Sequence, residues 1–474
     1  MGLKGGKDGA KAQLRERCPG AFRVFDSLSE CRDGVLPDER DADDHLLTKR
    51  QQTVVLGDGN VMLMQIPESA CSIEAFSDIL FSFVRDLVRS GRIAILVFDE
   101  PEAMTWAKRE EQQRRDAARS ARTVTASADI DAQNTLPKNF SSADLETFHD
   151  VHLLKSDRKL RMRLYDEAAR RVFLRIKDLM SVWKSSGHDA GVLILDGVDI
   201  RGCGLADDEK RDPRIVGTDS RVVADFERSA KIGEGDIKLV AIENRLRELI
   251  SSNERYADYR LCLTSTVDTD SLPIMMLDVA KRRTSPYRGA LHSLFCMRTP
   301  PTKRAREEDC HVSSTYLCTD IALLEGLVQQ HLWSLTTSKP TPGEMLNAML
   351  AFASACALCG CDFTLEGLKG SRFDHFYESF PTFIRDEPDA LRGFGATLAR
   401  ESAVARRACS GLQKVCATAS AAMSVKKRYL KQSKSVSEVS ETLLLRALWT
   451  CAYWSQVERR ADDEWGFFSY TVAS

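Results

Sequence analysis

The chain has 474 residues, a formal net charge of −2, and 43% hydrophobic against 29% charged residues. That balance belongs to a globular protein with a sizeable core and excludes a wholly disordered chain. Near-neutrality means that any affinity for nucleic acid must come from a local basic surface. No apolar stretch reaches the roughly 18–20 residues that cross a membrane. The 14 cysteines have no disulfide-framework spacing, and several sit inside apolar runs such as Leu261-Cys262-Leu263. The opening residues are Gly/Lys-rich rather than apolar, so a soluble, intracellular, reduced protein is expected, with no membrane partner.

In chain order, four apolar runs each lead into an aspartate. Thr53-Val54-Val55-Leu56-Gly57 runs into Asp58, and Ile93-Ala94-Ile95-Leu96-Val97-Phe98 into Asp99. Gly191-Val192-Leu193-Ile194-Leu195 runs into Asp196, and Arg260 to Val267 into Asp268. Continuous apolar runs predict strands buried on both faces, as in a parallel sheet. Between the first two, Ser72 caps a predicted helix with Phe76, Ile79, Leu80, Phe83, Leu87 and Val88 at helical spacing, and Gly91 ends it. Leu239, Ile242, Leu246, Leu249 and Ile250 mark a second helix before the strand that ends at Asp268. The expected fold is α/β, a central mostly parallel sheet with flanking helices. Residues 106–148 and 201–231 are polar and read as surface insertions. After about residue 275 the pattern turns helical, notably at 343–359 and 438–458.

Ligands of open α/β sheets bind beyond the carboxyl ends of the strands, where these aspartates stand. Asp268 and Asp270 are two apart on a segment read as extended, which points both carboxylates to one side. Glu234 and Asp236, in Gly233-Glu234-Gly235-Asp236, converge only if Glu234 precedes the helix start. With Asp58 and Asp99 they would form a crevice of six carboxylates that needs cations to neutralise it. An all-oxygen donor set selects Mg²⁺, with Mn²⁺ able to substitute, over Zn²⁺. Two such ions about 4 Å apart suit phosphodiester hydrolysis. Asp196 is the rival for a place in this set.

These residues resemble the flap endonuclease/XPG and Xrn-type 5′-nuclease superfamily, which has PIN-like folds. Met1-Gly2-Leu3-Lys4-Gly5 is similar to the flap-endonuclease start, and Gly57-Asp58-Gly59-Asn60 to the first aspartate motif of the Xrn branch. Phe98-Asp99 followed by Lys108, Gln112 and Arg115 resembles the second aspartate and its basic helix. Gly233-Glu234-Gly235-Asp236-Ile237-Lys238 resembles the Xrn Gly-Glu-Gly-Glu-His-Lys motif, and Asp268-Thr269-Asp270 the Asp-x-Asp of both branches. Gly360-Cys361-Asp362-Phe363 is similar to the flap-endonuclease Gly-Cys-Asp-Tyr, which adds Asp362 to the metal set. The family's helix–two-turn–helix is reduced to Gly367-Leu368-Lys369-Gly370-Ser371-Arg372. The resemblance implies a nuclease core over 1–275, with an arch insertion at about 100–160 and a surface insertion at about 201–231. A helical continuation over 276–380 carries Asp362, and a helical C-terminal region covers 381–474. A member from a large DNA virus, like the poxviral flap-endonuclease-like proteins, fits the divergence.

Lys108, Gln112, Arg115 and Arg119 lie on one helical face, which the resemblance makes an arch; the first three would act at the scissile phosphate. Arg119, Lys369, Arg372 and the Lys426-Lys427-Arg428 run are candidate nucleic-acid contacts. Cys356-x-x-Cys359-x-Cys361 has no second Cys-x-x-Cys, so buried thiols are expected there rather than zinc. The leading expectation is a Mg²⁺-dependent, structure-selective 5′ nuclease acting on DNA flaps, gaps or ends in replication, recombination or repair. Its setting would be the nucleus or a viral replication compartment, with replication or recombination proteins as partners. A 5′→3′ exoribonuclease or mRNA-degrading nuclease is the second expectation, and a catalytically dead binding scaffold the third.

Overall fold

The aspartate-terminated runs are strands. The computed structural model describes residues 10–37, 39–40, 46–60, 72–99, 113, 117, 158–186, 191–196, 215–217, 226, 234–266, 268, 270–283, 291–299, 315–359, 361, 373–395, 408–419 and 441–455. In chain order these hold α1 (Ala10–Arg17), β1 (Phe22–Phe25), α2 (Leu28–Val35), β2 (Thr53–Asp58), α3 (Ile73–Ser90) and β3 (Ile93–Val97). Next come α4 (Arg158–Ser185), β4 (Val192–Asp196), β5 (Ile215–Gly217), α5 (Gly235–Ser252), β6 (Leu261–Ser265) and α6 (Ser271–Arg282). Then follow β7 (His292–Thr299), β8 (Thr315–Asp320), α7 (Ile321–Leu332), α8 (Pro342–Leu358), α9 (Phe373–Asp386) and α10 (Pro388–Gly393). Residues 408–419 form α11, and Glu441–Ser455 form α12. No helix among the described residues is long and apolar enough to cross a membrane.

One eight-stranded sheet runs β1-β8-β7-β6-β2-β3-β4-β5. The pairs β7–β6, β6–β2, β2–β3 and β3–β4 are parallel, while β1, β8 and β5 extend the edges through antiparallel pairs. The fold is therefore the expected α/β architecture with a mostly parallel central sheet. Register aligns the strand ends: Asp58 and Asp196 both pair with Val97, and Gly57 pairs with Ser265.

The pleat assigns each face. Val54, Leu56, Ile93, Ile95, Val97, Val192 and Ile194 pack beneath Leu239, Ile242, Leu246 and Leu249 of α5. Val55, Ala94, Leu96, Leu193 and Leu263 face the opposite way, against Phe76, Leu80, Phe83 and Leu87 of α3 and Val172 and Ile176 of α4. Each fully buried aliphatic side chain contributes about 1.5–3 kcal/mol. The capped α3 is as its spacing predicts. Ser72 Oγ accepts from the Ala75 N–H at 3.2 Å, and the Gly91 N–H donates to the Leu87 carbonyl at 3.1 Å. A Cβ at Gly91 would meet the Thr53 carbonyl oxygen at 2.9 Å, so the α3–β3 turn has no room for a side chain.

Two expectations need correction. Residues 276–380 are not uniformly helical, because β7 and β8 enter the sheet there. Both are single apolar strands that pair with remote segments, so helical periodicity elsewhere in the region masked them. The 201–231 stretch also supplies β5, a three-residue edge strand too short to carry a periodic signal. The helical character of 342–359, 373–395, 408–419 and 441–455 is as expected. Among described residues, α6, α8, α9, α11 and α12 share one core that includes Leu277, Phe352, Phe380, Leu412 and Leu448.

Candidate metal centre

Parity places the acidic side chains. On β2, Val54, Leu56 and Asp58 share a face; on β3, Ile93, Ile95, Val97 and then Asp99 do the same. This is the face covered by α5, whose N-terminus arrives at the strand ends. Glu234 is the residue before that helix, in extended backbone at φ −106° and ψ 134°, as convergence with Asp236 requires. The Gly235 N–H donates to Asp99 Oδ1 at 2.9 Å, so the helix N-terminus meets a carboxylate, an arrangement favoured by its dipole. A Cβ at 235 would stand 3.4 Å from both Asp58 Oδ1 and Asp99 Oδ1, and 3.6 Å from Asn60 Nδ2. Gly235 thus leaves open the space between two carboxylates from adjacent strands.

Asp58 is buried and held from two sides. The Asn60 N–H donates to its Oδ1 at 3.0 Å, and Thr266 Oγ1 donates to its Oδ2 at 3.3 Å. Thr266 also accepts the Asp268 N–H at 3.1 Å, which ties the end of β6 to that of β2. Asp268 Oδ1 in turn accepts the Asp270 N–H at 3.1 Å. Asp270 has φ −66° and ψ −26° and directly precedes α6. Asp270 is therefore in helical backbone at the start of α6, not on the extended strand predicted from its sequence. The physical basis is the carboxylate of Asp268 capturing the amide two residues on. Asp236 lies in the first turn of α5, where its Oδ1 accepts the Ile237 N–H at 2.9 Å.

Asp196 has a different environment. Lys238, fully enclosed on α5, puts its Nζ 3.5 Å from Asp196 Oδ2 and donates to the Phe98 carbonyl at 3.1 Å. The carboxylate at the end of β4 thus compensates a buried ammonium. Sequence reading did not single out Thr266, and it quoted Lys238 only as the last residue of the Gly233–Lys238 motif, without a role. Parity with Asp268 was the available signal for Thr266, and a lysine one turn after Glu234 was that for Lys238.

A second buried network fixes α5 to α6 and β7. Arg247 donates to Glu243 Oε1 at 2.9 Å and to the Leu291 carbonyl at 2.7 Å, and Ser293 Oγ donates to Glu243 at 2.6 Å. Arg282 pairs with Asp278 at 3.0 Å, and Asn244 donates to Asp278 at 2.7 Å. Burial alone would raise Glu243, but Arg247 and Arg282 hold it below the ordinary carboxylate value. Burial pushes Asp278 up.

Among the described residues, the acidic side chains stand along the strand ends rather than closing in threes to within 4.8 Å; only Cys31, Cys296 and Cys318 do so. Cys356, Cys359 and Cys361 are buried thiols, with burial raising Cys356. Asp362, Lys108, Gln112, Arg115, Arg119, Lys369, Arg372, Lys426, Lys427 and Arg428 lie outside the described residues. Comparison of the chain with models of known protein families and with curated proteins finds no match to either.

Proposed function

We propose that this chain is a divalent-metal-dependent 5′ nuclease that hydrolyses phosphodiester bonds in DNA flaps, gaps or ends. The observation that carries the reading is the placement of Asp58 and Asp99 on either side of Gly235, beside Glu234, at the carboxyl ends of parallel strands. Donors at this point are oxygens, which suit Mg²⁺ or Mn²⁺, and Mg²⁺ commonly binds through one or two carboxylates with waters completing its shell. The gap that a Cβ at 235 would fill is consistent with such an ion. Asp58 and Asp99 would hold it, and Glu234, Asp236, Asp268 and Asp270 along the same strand ends would serve the two-ion set. When bound, the metal supplies an activated water and charge stabilisation at the phosphate.

The protein's own part is positional. Asn60 and Thr266 orient Asp58, the Gly235 amide orients Asp99, and Asp268 is tied to Asp58 through Thr266. A replication compartment, in the nucleus or in the cytoplasm of virus-infected cells, is the setting this activity fits. The second reading, a 5′→3′ exoribonuclease, draws on the packing of Gly235 against Asp58 and Asn60, which joins the two motifs that resemble the Xrn branch.

The test is cleavage of matched 5′-labelled DNA flap, nicked duplex and single-stranded RNA with and without Mg²⁺. Mg²⁺-dependent cutting of the flap above the others supports the first reading, and preference for RNA supports the second. No cutting of any of the three with either Mg²⁺ or Mn²⁺ overturns the nuclease assignment.

A further inference from the structure

Away from the acidic strand ends, α2, β7 and β8 bring together three cysteines that no local motif joins. Cys296 and Cys318 are directly paired across the antiparallel β7–β8 ladder, with their sulfurs 3.2 Å apart. Cys31 of α2 packs over them, and all three Sγ atoms lie within 4.8 Å of one another. Each side chain is buried, within a core otherwise made of Leu28, Leu294 and Tyr316 and their neighbours. A metal–sulfur bond of about 2.3 Å sets the sulfurs of a trigonal or tetrahedral site about 3.8–4.0 Å apart. The Cys296–Cys318 spacing of 3.2 Å lies below that value and the other sulfur pairs lie within 4.8 Å, so side-chain shifts of under about 1 Å close the set on one ion. A cleft of about 200 Å³, lined by Arg23, Phe25, Gly34, Val35, His292 and Cys318, lies beside the cluster.

We propose that Cys31, Cys296 and Cys318 form a buried three-thiolate site for a thiophilic metal ion, Cu⁺ or Zn²⁺. An all-sulfur donor set selects soft ions and rejects Mg²⁺, so this site is chemically separate from the acidic one and does not depend on the nuclease reading. Cu⁺ is satisfied by three sulfurs; Zn²⁺ takes a fourth donor, which a water in the cleft supplies. Binding exchanges thiol protons, released to solvent, for the metal and changes no oxidation state. Arg23 and His292 line the cleft on the same side as Cys318. The ion would pin α2 to the β7–β8 edge and so stabilise that side of the sheet.

The full chain, reduced and stripped by chelator, is titrated anaerobically with Cu⁺ and, in a separate arm, with Zn²⁺. Cd²⁺ serves as the optical probe, because cadmium–thiolate coordination gives an ultraviolet charge-transfer band that carboxylates do not. The expected result is one equivalent bound, with the band present and the melting temperature raised. The band should be lost in Cys31→Ser and in Cys318→Ser and kept in Cys356→Ser. X-ray absorption on the loaded wild type, which needs no variant to fold, should count three sulfur neighbours. Oxygen or nitrogen neighbours alone, a band that survives both substitutions, or a Cys296–Cys318 disulfide forming on handling in air while the reduced protein retains no metal overturns the proposal.

Discussion

Lys238 Nζ stands 3.5 Å from Asp196 Oδ2 and 3.1 Å from the Phe98 carbonyl oxygen, joining the first turn of α5 to the ends of β4 and β3. The lysine is fully enclosed, so its charge depends on those partners. Removing one member of a buried pair costs about 3–5 kcal/mol, because the other is left uncompensated. Lys238→Met should therefore lower stability by that order in urea denaturation, and Asp196→Asn added to it should recover part of the loss. Equal midpoints for wild type and Lys238→Met would show that the pair does not hold α5 in place.

Gly235→Ala separates site from scaffold. Alanine favours a helical position, and the new methyl reaches only van der Waals distance, 3.4 Å, from the two carboxylate oxygens. Stability should stay within about 1 kcal/mol of wild type. Because the methyl occupies the gap between Asp58 and Asp99, Mg²⁺-dependent cleavage should fall by about 10²-fold, the usual penalty for misplacing reacting groups by an ångström. Calorimetry and cleavage assays on one preparation measure both.

Asp268→Asn keeps a side-chain oxygen that can accept the Asp270 N–H, so the turn into α6 should persist. What it removes is charge. The variant should unfold at or above the wild-type temperature in metal-free buffer, lose cleavage, and bind labelled flap DNA as tightly or more tightly. Lost stability without metal would identify Asp268 as a structural residue.

The Glu243 network has a defined pH signature. Burial works against the Glu243 carboxylate, but Arg247 and Arg282 outweigh it and its folded value lies below its unfolded one, ~4.3. A lowered carboxylate contributes stability above the unfolded value and loses it as pH falls through the folded value. Asp278 is raised by burial and acts in the opposite sense: its contribution is present below ~3.9 and lost as pH rises through its folded value. Glu243→Gln should therefore cost about 3–5 kcal/mol at pH 7. The difference from wild type should shrink on acidification towards pH 3. A constant difference across that range would mean that the glutamate's charge does not matter.

Much of the α/β core was legible because its signals are local. Val54 to Asp58 and Ile93 to Val97 are apolar on both faces, and α3 carries its own cap at Ser72 and stop at Gly91. Glu234 before a helix start was also readable, since the glycine beside it admits that geometry. Packing decided the rest. Whether Asp196 is free for a metal depends on Lys238, 42 positions later by numbering. Whether Asp268 and Asp270 are extended or turned depends on one side-chain oxygen meeting one amide. Strands β7 and β8 are defined by the neighbours they pair with, and Cys31 meets Cys318 only because α2 crosses that edge of the sheet. Periodicity and capping act over a few residues and leave a trace in the sequence. Contacts between remote segments are set by how the chain fills its core, and they leave none until it is folded.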